Sequence, residues 1–132
     1  MAGLPVILVD TDVLIAHLRG IPAARAWLHE ARAASSLAVS VVTIAELAGG
    51  MRSAVRRAVW NLLSIMQSIP VTEPISRTAG EFVREFRRSH TSIGLPDYLI
   101  VATAAHAGAE IATLNVRHFP MFQDLQPSFA VR

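Results

Sequence analysis

Four polar residues stand where an apolar run gives way to a helix or a turn: Asp10 in VILVDTD, Glu46 in VTIAEL, Asp97 in LPDYLI and Asn115 in IATLN. Each has an ordinary structural reading. Asp10 can cap the helix that follows it, as can Thr11 or Asp12. Thr43 and Glu46 have the spacing of a capping box, with Glu46 returning to the Thr43 amide. Asp97 after Pro96 suits the positive end of a helix dipole, and Asn115 suits a turn with a left-handed backbone. Taken together they support a different chemistry. Three carboxylates gathered in one cleft repel one another unless a cation offsets them. Magnesium accepts oxygen ligands, keeps several waters, and is held by one or two carboxylates together with substrate phosphates. Such a centre could lower the pKa of a water, orient it in line with a scissile phosphate and neutralise the charge that develops.

These residues are far apart in sequence, so strands must gather them. Val6 to Val9 is apolar without alternation, the pattern of a strand buried on both faces of a parallel sheet. Val13, Leu14, Ile15 and Leu18 mark a first helix stopped by Gly20, and Pro22 opens a second that carries Trp27 and Leu28. Leu37 to Val42 reads as a strand, Thr43 to Met51 and Val55 to Met66 as helices, and Ile69 to Val71 as a short strand. Glu81 to Arg88 is amphipathic, with Phe82, Val83 and Phe86 at helical spacing and arginines opposite. Asp97 to Ala107 is a helix ended by Gly108, and Ile111 to Leu114 is a strand. Val116 to Phe122 is a loop or turn, and Asp124 to Gln126 a weak last strand that Pro127 confines to an edge. This order implies an α/β fold with a parallel sheet of four to five strands covered on both faces. Right-handed crossovers would place ligands at the carboxyl ends of the strands. No repeat or long linker divides the chain, so Met1 to Arg132 reads as a single domain.

Composition narrows the chemistry further. With no cysteine among 132 residues, any metal must bind through oxygen or histidine, and a reducing cytoplasm is the compatible compartment. Asp10 and Asp12 interrupt the first apolar run, and no basic residue precedes it, so it makes a poor signal peptide. The longest uncharged stretch, Ala58 to Thr72, is broken by Asn61, Gln67 and Pro70, and no membrane span is expected. All twelve cationic residues are arginine, a side chain whose planar fork matches phosphate, which is compatible with an RNA partner. The same bias can equally follow from genomic base composition.

With these segments assembled, the chain resembles a PIN-domain nuclease of the VapC toxin type along nearly its whole length. The resemblance rests on VILVDTDVLIA, VSVVTIAELAGGM and LPDYLIVATAAHAGAEIATLNVRHF, in that order and spacing. It implies a Rossmann-like α/β/α sandwich in which Asp10, Glu46 and Asp97 form an acidic centre. Asp10 and Asp97 would bind Mg2+, or Mn2+ in its place, and Glu46 would bind through water or act on it. It also implies a metal-dependent endoribonuclease that cuts structured RNA such as transfer or ribosomal RNA. Homodimer formation and inhibition by a cognate VapB-type antitoxin, whose C-terminal segment fills the cleft, belong to the same implication. Many relatives have a fourth acid near Asn115. The amide there can orient water or phosphate but adds no charge, which puts a second tightly bound metal in doubt. His118 beside Phe119 is a candidate substrate contact, although a lone histidine more often packs in a loop.

Two rivals remain at this level. Asp10-Thr11-Asp12 after an apolar strand imitates the paired acids of a haloacid-dehalogenase-like phosphatase, but the chain has no lysine and no later acidic pair to complete that site. A non-catalytic PIN-like module would grip RNA or protein without cutting, a reading that the intact Asp10, Glu46 and Asp97 oppose. Arg52, Arg56 and Arg57, or Arg84, Arg87 and Arg88, could line an RNA path or simply solvate helix faces.

Overall fold

The computed structural model describes residues 3–130, so the outermost residues of the 1–132 unit lie outside it. Strands β1 (Val6–Val9), β2 (Ser36–Ser40), β3 (Gln67–Ile69) and β4 (Glu110–Ala112) form one sheet in the order β3-β2-β1-β4. All three pairings are parallel, with Ile7 opposite Leu37 and Leu8 opposite Ile111. Helices α1 (Thr11–Leu18), α2 (Pro22–Ala34), α3 (Val41–Gly50), α4 (Arg56–Ser64), α5 (Glu73–Phe86) and α6 (Leu95–Ala107) connect them. Short 3-10 turns lie at Ser53–Val55 and Val116–His118.

The two-residue period of the strands divides the core. Ile7, Val9, Leu37 and Val39 face one layer, where they meet Val13 and Leu14 of α1, Leu28 of α2, and Val59, Leu62 and Leu63 of α4. Leu8 and Ala38 point the other way, onto Ile100, Val101 and Ala104 of α6. Helix α5 forms an outer cover for α6, with Ile75 and Ala79 against Tyr98 and Ala102. Because α6 lies between the sheet and α5, it is apolar nearly all round, and Tyr98 and Ile100 through Ala104 are all buried. The result is a three-layer α/β/α sandwich, as the order of elements predicts. Among the described residues no helix is long and apolar enough to cross a membrane.

Several boundaries differ from the sequence expectation. Strand β2 ends at Ser40, not Val42, because the Ser40 hydroxyl accepts a hydrogen bond from the Val42 amide at 3.1 Å and starts α3 at Val41. Thr43 is therefore inside the helix, and the expected Thr43 and Glu46 capping box does not form. Strand β3 lies two residues earlier than expected, and β4 stops at Ala112. Helix α5 begins eight residues before Glu81, with Thr72 capping the Ile75 amide and Pro74 in its first turn. No strand forms at Asp124 to Gln126. Asp124 has a φ of 59°, a left-handed backbone that a strand does not accommodate.

Candidate active site

The central strand β1 and its neighbour β4 end side by side, and the acidic residues collect there. The Asp10 amide extends the pairing by donating to the Ala112 carbonyl at 2.8 Å. Its carboxylate then does two things. Oδ1 accepts from the Thr11 amide at 2.8 Å and caps α1, while Oδ2 accepts from the Thr113 hydroxyl at 2.8 Å. Capping and membership in an acidic site are thus combined in one side chain.

Asp12, one residue further into α1, is tied to the end of β4 as well. Its Oδ2 accepts from the Leu114 amide at 3.1 Å and lies 3.3 Å from the Thr113 hydroxyl. Since Thr113 has a single proton, the shorter contact to Asp10 takes it. The other oxygen of Asp12, Oδ1, is buried without a hydrogen-bond partner among the described residues.

Glu46 reaches the site from α3, and Thr11 holds it: the Thr11 hydroxyl lies 2.7 Å from Glu46 Oε1 and 3.1 Å from the buried Thr43 hydroxyl. Asp97 sits in the first turn of α6, where the helix dipole favours a carboxylate, and its Oδ2 pairs with His118 Nδ1 at 2.8 Å. Asn115 is exposed at the same edge. Its amide donates to Thr113 Oγ1 at 3.0 Å, and its φ of −108° is not the left-handed turn conformation.

Burial and like charge act on this group together. The Asp10 carboxyl is pushed from 3.8 up to about 7, first by loss of water and then by the charge of Asp12, with a further contribution from Asp97. Hydrogen bonds from Thr113 and Thr11 oppose the rise without cancelling it. Burial also raises Asp12, against the hydrogen bonds of its backbone partners. Asp10 and Asp12 thus share a cleft that disfavours their charged forms.

Among the described residues no three histidine or acidic side chains close into a ready cage for a metal ion. A magnesium site does not require one, since water and phosphate complete its shell. The donor set fits a hard cation on two counts. It is built of oxygen, and both the unpartnered Asp12 Oδ1 and the raised Asp10 carboxyl would be relieved by a positive charge.

Of the residues singled out by sequence, Asp10 and Asp97 are close enough for their charges to interact, Glu46 joins through Thr11, and Asn115 contributes its backbone. Asp12, Thr11 and Thr113 were missed as parts of the site. Asp12 had a signal in the paired acids that suggested the phosphatase, whereas Thr113 had none, since it is joined to Asp10 across 103 residues.

Comparison with known proteins bears on the family and the fold. The sequence profile of the PIN domain family matches residues 7–122. The chain is 61% identical to "Ribonuclease VapC10" of Mycobacterium tuberculosis over 125 residues, which cover 95% of this chain and 94% of that protein. It is 42% identical to "Ribonuclease VapC19" of the same organism, with 92% and 98% covered. Among solved structures, a toxin-antitoxin complex from Klebsiella pneumoniae contains a chain with the same fold, at a TM-score of 0.79 and 24% identity, covering 95% of this chain and 99% of that one.

Proposed function

Because the chain belongs to the PIN-domain family and stands within it among the VapC ribonucleases, we propose that it is a divalent-metal-dependent endoribonuclease, the toxin of a VapBC-type toxin-antitoxin pair. The phosphatase alternative falls with the family assignment. The observation that carries the nuclease reading is Asp10, buried between the ends of β1 and β4 with its carboxyl raised to about 7 beside Asp12 and Asp97.

Asp10 and Asp97 would hold Mg2+ or Mn2+ directly, with Glu46 binding through water and Asp12 supporting Asp10 from the buried side. When bound, the ion supplies a water of lowered pKa and offsets the charge that builds on a phosphodiester. The protein's own side chains do the rest. Thr113 fixes the plane of the Asp10 carboxylate, and Thr11 occupies Glu46 Oε1. Glu46 Oε2 is left to take a proton from the attacking water. His118 holds Asp97 through Oδ2, which would leave its other oxygen to bind the ion. Asn115, exposed at the rim, orients a water or a phosphate oxygen by its side-chain amide.

The partners follow from the same reading. An apolar groove of about 350 Å³ between α1, α3 and α4, lined in part by Ile15, Leu18, Leu47, Met51 and Val55, reaches Glu46. It suits the C-terminal segment of a VapB-type antitoxin. Structured RNA, transfer or ribosomal, is the proposed substrate, and a cytoplasmic homodimer the proposed working form. The decisive experiment is RNA cleavage by the purified protein with magnesium and with chelator, beside the Asp97→Asn variant and a generic phosphomonoester. Magnesium-stimulated RNA cleavage, reduced roughly a hundredfold or more in a folded Asp97→Asn protein and absent on the monoester, is expected from loss of one charge-stabilising group. Equal cleavage by variant and parent would remove Asp97 from the site.

A further inference from the structure

Outside the acidic cleft, three arginines gather at the end of α5. Arg84, Arg87 and Arg88 line a recess of about 440 Å³ there, and all three are exposed. The ion pairs found among the described residues, Arg77 with Glu73 and His118 with Asp97, leave these three without a carboxylate partner. One arginine near a helix C-terminus is accounted for by the dipole. Three around one recess are not.

The hairpin of α5 and α6 sets where this recess lies. Thr78, near the start of α5, is hydrogen-bonded to His106 at the end of α6 at 2.7 Å. The two helices therefore run antiparallel. At the opposite end, Phe86 packs in the same cluster as Tyr98, the residue after Asp97. The arginine recess is thus at the end of the hairpin that carries Asp97, beyond the carboxyl edge of the sheet. A strand of RNA held at the acidic centre would have flanking phosphates toward this end of the molecule. Guanidinium groups bind phosphate oxygens in pairs through their planar fork and carry their charge at any working pH.

We propose that Arg84, Arg87 and Arg88 form a clamp for the RNA backbone that flanks the cleavage centre, setting affinity for RNA while taking no part in bond breaking. The proposal rests on the ribonuclease reading and adds to it the surface on which the substrate lies. Since it recognises phosphates, the clamp is indifferent to base sequence, and its contribution falls as salt rises.

The test measures binding apart from cleavage. Fluorescence anisotropy with a labelled oligouridylate, and with labelled bulk transfer RNA, is followed across a salt series. The proteins are the parent, an R84A/R87A/R88A triple variant, the corresponding triple lysine variant, and Arg77→Ala at the other end of α5. Each phosphate contact on a single strand contributes about 0.7 to the slope of log K against log salt, so the triple alanine variant should have a slope shallower by about 2. Its affinity at low salt should fall roughly tenfold or more, while cleavage at saturating RNA stays within about twofold of the parent, so that KM moves and kcat does not. The lysine variant should recover the slope but only part of the affinity, and Arg77→Ala should match the parent.

An unchanged slope and affinity in the folded triple variant overturns the clamp, as does a fall in kcat at constant KM. Intact RNA binding with lost affinity for an acidic antitoxin peptide overturns it in favour of a protein surface. If the parent cuts RNA but the slope is unaffected, the clamp fails and the nuclease stands. If the parent binds through the arginines but cuts nothing, the clamp stands and the nuclease fails. If it neither binds nor cuts, both fail.

Discussion

Asp10 carries two duties that sequence reasoning treated as alternatives, and their conflict is measurable. Its hydrogen bonds cap α1 and fix Thr113, yet its charge is disfavoured by burial and by Asp12, so the folded carboxyl titrates near 7 against 3.8 unperturbed. Between those values the unfolded chain has already lost the proton that the folded one keeps. Stability of the metal-free protein therefore falls as pH rises through this window, is unaffected by Asp10 below it, and bears the full penalty above it. A tenfold difference in proton affinity between the folded and unfolded chain corresponds to about 1.4 kcal/mol, so the penalty is on the order of a few kcal/mol. Asp10→Asn keeps the cap and removes the charge. Its melting temperature in chelator should exceed the parent's by a margin that grows from pH 4 to 7 and then levels. A margin independent of pH would mean that the Asp10 carboxyl titrates normally. Asp12 shows why such residues are hard to read from sequence. The amide of Leu114 that places it is about a hundred positions away, and no local pattern announces it.

The positions of the helices, more than the identities of their side chains, decide which carboxylates meet. Val41 and Val42 continue the apolar, β-branched run of β2, so the run reads as strand; one hydroxyl, Ser40 on the Val42 amide, converts it to helix and thereby brings Glu46 to Thr11. Replacing Ser40 by alanine should cost about 1 kcal/mol, in the usual range for an N-cap, with a fall of roughly 4 °C in melting temperature. Cleavage should fall as well, because α3 carries Glu46. Ser53→Ala, at an exposed turn, is the control and should be neutral; a Ser40→Ala protein as stable as that control would deny the cap its role. Strand β1 and helices α1, α2 and α6 are legible because their apolar runs and their Gly and Pro boundaries agree with their packing. The first two turns of α5 were not, since Pro74 and Gly80 bracket a stretch whose only core residues are Ile75 and Ala79. The fifth strand failed at Asp124, where the backbone turns left-handed, a choice composition does not disclose.

For the molecule as a whole, the proposed metal site would make stability depend on its ligand. A cation that binds only the folded state adds stability with its concentration, so the parent should melt progressively higher as magnesium rises at fixed ionic strength, and then saturate. Asp10→Asn should flatten that response, and parallel titrations with equal shifts would remove Asp10 from the metal site. The sheet order has a further effect on timing. The strand at its centre, β1, is the first made, but one of its two neighbours, β4, is the last, and Asp10 depends on Thr113 at the end of that strand. A polypeptide emerging from the ribosome therefore lacks the Thr113 and Leu114 supports of its acidic centre until β4 and the residues just after it have been translated. Fragments released early by a stalled or broken message hold Asp10 and Glu46 but not the strand that orders them. The acidic centre is thereby unfinished until the last strand of the sheet is made, and an antitoxin of the kind proposed above would have that interval in which to be ready.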